Sequence, residues 1–443
     1  MLEEYPITGR RATEIAASVE TALAEGSLRP GQLLPPLREL ATALDVNPNT
    51  VAAAYRTLRE RGVVHTAGRR GTRVRERPAS VAREAMWAKL PEGVRDLSSG
   101  NPDPALLPPL AEALAEAGRA HARRPVRYGD DPVEPEFADH VRRALTADGV
   151  RADSLAVTSG SLDGVERVCA AHLRPGDAVA VEDPGWGSLL DLVPALGLRA
   201  VPVAVDDEGP LPEEAERALA EGVRAWVVTA RAQNPTGAGL SATRAERLRR
   251  LLGEHPDTLL IEDDHGHGIV DEPYHPLVGV TRHWALLRST AKVLGPDLRV
   301  AVLAGDQVTL DRVRGRQCLG PGWVSHLLQW AVLHLWRTGA VDQEAVARSY
   351  GARREALLRA LGERDVRAWG RGGMNVWVRV PDETAVVTRL MTAGWGVAPG
   401  ARFRSDSPPG VRITVSDLAL SEVGELADAV AEALRPERVG RYG

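Results

Sequence analysis

Between residues 155 and 303 this 443-residue chain repeats one pattern, a short apolar run followed by a longer stretch with helical spacing. The apolar runs fall at 155–157, 178–181, 225–228, 259–261, 285–287 and 300–303. Alternation of strand-like and helical segments specifies a mostly parallel sheet with helices on both faces. The expected fold class is therefore α/β. Ligands of such sheets bind beyond the C-terminal ends of the strands.

What stands at those ends is informative. The chain has 55 Lys and Arg, and only Lys89 and Lys292 are lysines. Positive charge is thus written as Arg by default. A lysine kept inside Ser289-Thr-Ala-Lys292-Val-Leu-Gly-Pro-Asp-Leu-Arg299 is then a candidate for chemistry that Arg cannot perform. A desolvated lysine loses its proton and attacks a carbonyl, which is how pyridoxal phosphate (PLP) is held as a Schiff base. Asp263 follows the run 258–261, in position to pair with a pyridinium nitrogen and make the ring an electron sink. Ser289 and Arg299 offer a hydroxyl and a guanidinium fork to one phosphate. Asn234, in Gln233-Asn-Pro-Thr-Gly237, is placed to donate to the ring's phenolate oxygen. Each has a plain alternative, such as a surface lysine or an ordinary turn; the argument rests on their joint order.

Asp263, Asp264, His265 and His267 also stand close in sequence, and alternation sends both histidines to one side. Without a third remote ligand no metal site is expected. The two cysteines, Cys169 and Cys318, form no CxxC pair, which argues against a disulfide framework or a zinc site and fits a reducing compartment. No run approaches the length of a membrane span, and no apolar signal core opens the chain, so a cytoplasmic location is expected.

Charge is uneven. Net charge is −5, yet residues 1–78 hold twelve Arg against nine Asp and Glu, a balance of +3 that leaves −8 for the rest. A basic head on an acidic body points to a polyanionic partner. The head reads as a helix from about Thr8 to Glu25 and a short helix at 37–44. A turn leads to Asn47-Pro48, an N-cap followed by proline, and a third helix runs to about Arg61 with Val51, Ala54, Tyr55 and Leu58 on one face. Two helices joined tightly in this way form a helix-turn-helix. Asn49 and Thr50 then lie where base edges would be met, with Arg56 further along. Residues 63–65 and 72–74 read as a hairpin whose tip, Gly68-Arg69-Arg70-Gly71, with Arg73 beyond it, makes a basic wing suited to phosphate. A three-helix bundle with a solvated basic hairpin fits the same pattern.

Two resemblances sharpen these readings. From about Asp96 onward the chain resembles the fold-type I aminotransferases, through Asn-Pro-Thr-Gly, the strand-end Asp, Ser-x-x-Lys with Arg seven positions later, Thr158-Ser-Gly160-Ser161, Asp183-Pro-Gly-Trp186 and Gly410-Val-Arg412. The resemblance implies PLP on Lys292, with Asn234, Asp263, Ser289 and Arg299 around it. It further implies Gly160 and Ser161 cradling the phosphate at a helix N-terminus, Trp186 on the ring and Arg412 clamping an effector carboxylate. Tyr128 is implied to reach the phosphate from the partner subunit of a homodimer. His265 stands where many of these sequences have a Tyr that donates to the ring oxygen. The head resembles the winged helix-turn-helix of GntR regulators through Gly31-Gln-Leu-Leu-Pro-Pro-Leu-Arg38 and Asn47-Pro-Asn-Thr-Val-Ala-Ala-Ala-Tyr-Arg56. That resemblance implies DNA contacts from Arg38, Asn47, Asn49, Thr50 and Gly68.

Together the two halves resemble the MocR-type regulators. The expected organisation is a winged helix-turn-helix at 1–76, a linker at 77–95 and an aminotransferase-like domain at 96–443, whose small α+β lobe begins near 345. The expected function is PLP-dependent regulation, in which an amine, an amino acid or PLP itself alters binding to double-stranded operator DNA. The alternative is a working aminotransferase with an appended head.

Overall fold

The computed structural model describes residues 7–24, 27–29, 31–60, 63–66, 71–74 and 90–435. The chain divides into two compact units, one holding residues 1–82 with the segments 173–178 and 191–200, the other the remainder.

The head contains α1 (Ala12–Ala24), α2 (Leu37–Leu44), α3 (Pro48–Glu60), β1 (Val64–Thr66) and β2 (Thr72–Val74). The α1 helix starts later than its apolar spacing implies, because the Glu14 carboxylate accepts from the Arg10 and Arg11 N–H groups. Asp45 ends α2 in the left-handed region at φ 52°. Asn47 then starts the next helix, its Oδ1 accepting from Asn49 N at 2.9 Å. Ile15, Val19, Val51, Ala54, Tyr55 and Leu58 are all buried in one core with Val64 and Val74. The wing strands pair antiparallel, Val64 opposite Val74. The β2 strand is also held from its other side, by Leu34 N to Thr72 O and Val74 N to Gln32 O. Gly68, Arg69 and Arg70 lie outside the described residues, as does most of the expected linker.

The body opens with β3 (Arg95–Asp96), α4 (Ala111–Arg123) and α5 (Pro135–Ala147). Then follow β4 (Leu155–Thr158), α6 (Ser161–His172), β5 (Ala178–Asp183), α7 (Gly187–Ala195), β6 (Arg199–Asp206), β7 (Gly209–Pro210), α8 (Pro212–Ala220), β8 (Ala225–Thr229), α9 (Ala242–Glu254) and β9 (Leu259–Asp263). Next come β10 (Trp284–Ser289), α10 (Ala291–Leu294), β11 (Ala301–Gly305), α11 (Gln307–Cys318), α12 (His326–Arg337) and α13 (Gln343–Gly362). The last elements are β12 (Ala368–Trp369), β13 (Asn375–Arg379), α14 (Glu383–Thr392), β14 (Trp395–Gly396), β15 (Ala398–Pro399), β16 (Gly410–Thr414) and α15 (Val423–Leu434). Five of the body helices start on an acceptor: Glu134, Ser241, Asp306, Asp342 and Asp382 each take the N–H three residues on.

Eight strands form one mixed sheet in the order β4-β11-β10-β9-β8-β5-β6-β7. The inner strands β10, β9, β8 and β5 are parallel, while β11 runs antiparallel to both neighbours. All six expected strands are present. The reading missed β6, which carries Pro202 and alternates between buried and half-exposed positions, marks of a strand near a sheet edge. In the smaller sheet, β12-β13-β16-β15, β13 and β16 are the members longer than two residues. Its two-residue members are too short to leave a periodic signal. Because β9 and β10 are parallel, with Asp263 opposite Leu287, Asp263 and Ser289 emerge at the same end of the sheet.

Candidate functional site

At that end lies a cavity of about 660 Å³. Its lining includes Gly160, Ser161, Trp186, Asn234, Asp263, His265, Ser289, Lys292, Arg299 and Arg412, the body residues singled out from sequence except Tyr128. Tyr128 is 94% exposed and packs edge-on against Trp323, 5.6 Å between ring centres.

Lys292 enters the cavity from α10, and its Nζ donates to Gly100 O at 2.8 Å. Asp263 is 2% exposed. Its Oδ2 lies 3.0 Å from His265 Nδ1, while its Oδ1 is buried with no hydrogen-bond partner among the described residues. The second ring nitrogen of His265 lies 2.8 Å from Ala232 O. Both nitrogens therefore face acceptors, an arrangement that only the doubly protonated ring satisfies. Burial opposes that charge, but the Asp263 carboxylate outweighs it and raises the imidazole above its ordinary value. The turn after β9 folds His265 back onto Asp263 and Ala232, so both of its ring nitrogens meet protein acceptors and it holds the strand-end carboxylate.

Asn234 presents Oδ1 to Arg412 Nη1 at 2.8 Å, which leaves Nδ2 as the donor end of its amide. Arg412 also donates to Ser98 O at 2.5 Å and lies over the Phe403 ring at 4.7 Å. Its guanidinium is thus held within the protein, so a ligand carboxylate would compete with Asn234 and Ser98 for it. Ser289 Oγ accepts from Ala291 N at 3.2 Å at the start of α10.

Gly160 and Arg299 explain each other. Gly160 has φ +96°, and a Cβ there would lie 2.2 Å from Arg299 Nη2. Only glycine permits that approach. Arg299 donates to Ser159 O at 2.7 Å beside the first turn of α6, whose Ser161 Oγ is buried without a partner among the described residues. An unfilled hydroxyl, a helix N-terminus and a guanidinium make a place for an anion. The orphaned Asp263 oxygen, Lys292 and this cradle fit what a phosphorylated pyridine aldehyde needs.

The reading missed the segment 98–101 and Arg402, which also line the cavity. The available signal was Ser-Ser-Gly-Asn itself: Gly100 sits at φ +66°, with Arg412 Nη2 2.9 Å from where a Cβ would stand. In the head, Arg38, Asn47, Asn49 and Arg56 are exposed and Thr50 is half-buried. Arg73 Nη1 donates to Gly31 O at 3.0 Å. Among the described residues no group of three His, Cys, Asp or Glu converges as a metal would require, and no helix is long and apolar enough to cross a membrane.

Residues 92–430 match the class I and II aminotransferase family, and residues 11–74 match the GntR family of bacterial regulatory proteins. The vitamin B6 salvage pathway transcriptional repressor PtsJ of Salmonella typhimurium is 41% identical, covering 97% of this chain and 99% of that protein. The pyridoxine biosynthesis transcriptional regulator PdxR of Corynebacterium glutamicum is 29% identical, covering 79% of each. Among solved structures, the α-aminoadipate aminotransferase LysN of Thermus thermophilus, complexed with N-(5'-phosphopyridoxyl)-L-leucine, is similar with TM-score 0.67 and 25% identity, covering 77% of this chain and 92% of that one. With a GntR winged helix-turn-helix joined to a class I and II aminotransferase domain, this chain belongs to the MocR-type transcriptional regulators.

Proposed function

We propose that the body binds PLP, that PLP or an amine or amino-acid effector bound beside it changes how the head holds operator DNA, and that the chain works this way in the cytoplasm as a homodimer. In this reading residues 1–76 are the DNA-binding domain and 77–95 join it to the body. The observation that carries it is the buried Asp263 oxygen, without a partner among the described residues, in a cavity that also receives Lys292.

When bound, PLP supplies an aldehyde that a primary amine can take up and an electron-withdrawing ring. Lys292 Nζ, which donates to Gly100 O in this structure, would be the amine for that aldehyde. Asp263 Oδ1 would accept a hydrogen bond from the protonated ring nitrogen and keep it charged, with Oδ2 held by His265. Ser161, Ser289 and Arg299 hold the phosphate, and Asn234 Nδ2 donates to the ring oxygen. Trp186 stacks on the ring, Arg412 receives an effector carboxylate, and Tyr128 of a second copy closes the phosphate site. PtsJ and PdxR, two regulators similar to this chain, carry names tied to vitamin B6, which makes PLP itself the first effector to test.

The test measures fluorescence anisotropy of the upstream DNA of the gene itself with the full chain, titrated with PLP and then with an amine and amino-acid panel. A shift in DNA affinity over the same concentration range as a change in visible absorbance is expected. Lys292→Ala removes both. By reciprocity, operator DNA shifts effector affinity by the same factor. Steady transamination at about 1–1000 per second, with DNA affinity unmoved, would favour the aminotransferase alternative instead.

A further inference from the structure

A second cavity, of about 230 Å³, lies on the other side of the segment that carries Lys292. Val293 and Leu294 of α10, Leu145 of α5 and Trp336 of α12 give it an apolar wall, and Arg288 and His267 give it a polar corner. Ser289 lines both cavities, so the end of β10 and α10 form the partition between them.

Arg288 is 6% exposed. Its Nε donates to Asp264 at 2.9 Å, and its Nη1 lies 2.7 Å from Asp148 Oδ2, off the direction of a hydrogen bond. Its Nη2 has no hydrogen-bond partner among the described residues. A buried guanidinium nitrogen is rarely left in that state. Charge in this corner is already balanced: Asp264 and Asp148 stand against Arg231 and Arg288. Burial, helped by Arg288, pushes His267 down to about 4, so it adds no charge near neutrality.

We propose that this cavity is a binding site for a small neutral ligand, an apolar ring with one carbonyl or hydroxyl oxygen directed at the Arg288 guanidinium. A dry apolar cavity of roughly 150 Å³ accepts benzene, so the larger space here takes one ring with a short substituent. A hydrocarbon would leave Nη2 unanswered. An anion would bring an unbalanced charge into a buried corner that is already neutral. An occupant packs against Val293 and Leu294, the two residues after Lys292, and so restrains the amine on the other side of the partition. Binding here stands apart from the regulatory reading; only its linkage to PLP rests on it.

Calorimetry on the full chain with three probes tests the proposal. Acetophenone, a neutral ketone, binds saturably at one per chain. Ethylbenzene, of similar shape without the oxygen, binds roughly tenfold more weakly, the loss of about one hydrogen bond. Phenylacetate, the anion, binds more weakly still. Ala144→Phe, on the lining, fills the space and abolishes acetophenone binding, and Ala144→Leu does the same with a smaller change should the first variant not fold. Unchanged acetophenone binding in a folded Ala144→Leu protein would overturn the proposal. So would phenylacetate binding as well as the ketone, or a cavity that takes solvent only. PLP titrations with and without acetophenone then read the linkage, and binding without it keeps the site but removes its connection to Lys292.

Discussion

Asp263 and Asp264 are consecutive carboxylates at the end of β9, and their surroundings are opposite. Asp264 is fully buried, takes two bonds from Arg231 at 2.9 and 2.8 Å, and takes a third from Arg288 at 2.9 Å. Both guanidinium groups lie over the Tyr274 ring, at 4.8 and 5.5 Å. Burial works to raise its carboxyl, but the two arginines prevail and hold it below the ordinary value. Asp263 has one oxygen on His265 and the other without a partner among the described residues. Strand alternation sends neighbouring side chains to opposite faces, one into the packed interior and the other to the cavity. The difference teaches that a satisfied buried charge supports the fold, whereas an unsatisfied one marks where a ligand completes it.

The largest expected effect tests the satisfied side. Asp264→Asn takes from the buried Arg231 its ion-pair partner and leaves Arg288 with Asp148 alone, and is expected to destabilise the body by about 3–5 kcal/mol. Asp263→Asn lets His265 give up its extra proton, because the carboxylate that raises it is gone, and is expected to cost less stability than Asp264→Asn while weakening PLP retention. Denaturant unfolding and PLP titration of both variants read the contrast, and equal losses of stability would break it.

Glu262 sharpens the comparison, because it is a third carboxylate in the same run with neither arginines nor a cavity. Tyr274 OH, Leu277 N and Val278 N donate to it. Burial nonetheless pushes its carboxyl up to about 7. With the folded value above the unfolded one, the protonated form is favoured by folding. This contribution is fully present below about 4.5 and is lost as pH rises through about 7, a swing of up to roughly 3 kcal/mol. Glu262→Gln keeps an acceptor for the backbone donors, and the Tyr274 hydroxyl can turn to receive its amide. Unfolding free energy measured from pH 4.5 to 7 is expected to fall less steeply in this variant than in the parent protein. Identical slopes would remove Glu262 as the cause.

The sequence makes one half of this comparison easier to read than the other. Lys292, Asp263, Ser289 and Arg299 were legible because each stands at a strand end or next to one, at fixed spacing, with a residue type whose chemistry is distinctive. The Asp264 network was not, since its arginines come from positions 33 residues before and 24 residues after it and only the folded sheet joins them. His265 was legible as a departure from a familiar pattern, but its partners were not, because the direction of a ring after a strand depends on the turn that follows. The Ser98 and Gly100 carbonyls were invisible for a simpler reason: a backbone acceptor leaves no mark on residue type. In the head, helical spacing placed the buried face of α3 correctly, because a small core offers one way to bury Val51, Ala54, Tyr55 and Leu58 together.

The smallest expected effect carries the same contrast into the head. Sequence treats Arg38 and Arg73 alike, as positive charges available to a phosphate. Arg38 is exposed, whereas Arg73 is half-buried with Nη1 on Gly31 O, tying the wing strand to the segment before α2. Arg38→Ala should therefore leave the unfolding of the head unchanged and lower the slope of log affinity against log salt by up to about 0.9, the share of one phosphate. Arg73→Ala should do the reverse, costing about 1 kcal/mol of head stability for the lost hydrogen bond and lowering the salt slope by less than Arg38→Ala does. The two measurements are separate, thermal unfolding without DNA and operator titration at several salt concentrations, so one variant cannot mimic the other. If Arg73→Ala takes the full salt slope and no stability, the Gly31 contact gives way to phosphate when DNA is present, and a satisfied group in the free protein is no guide to its role in the wing.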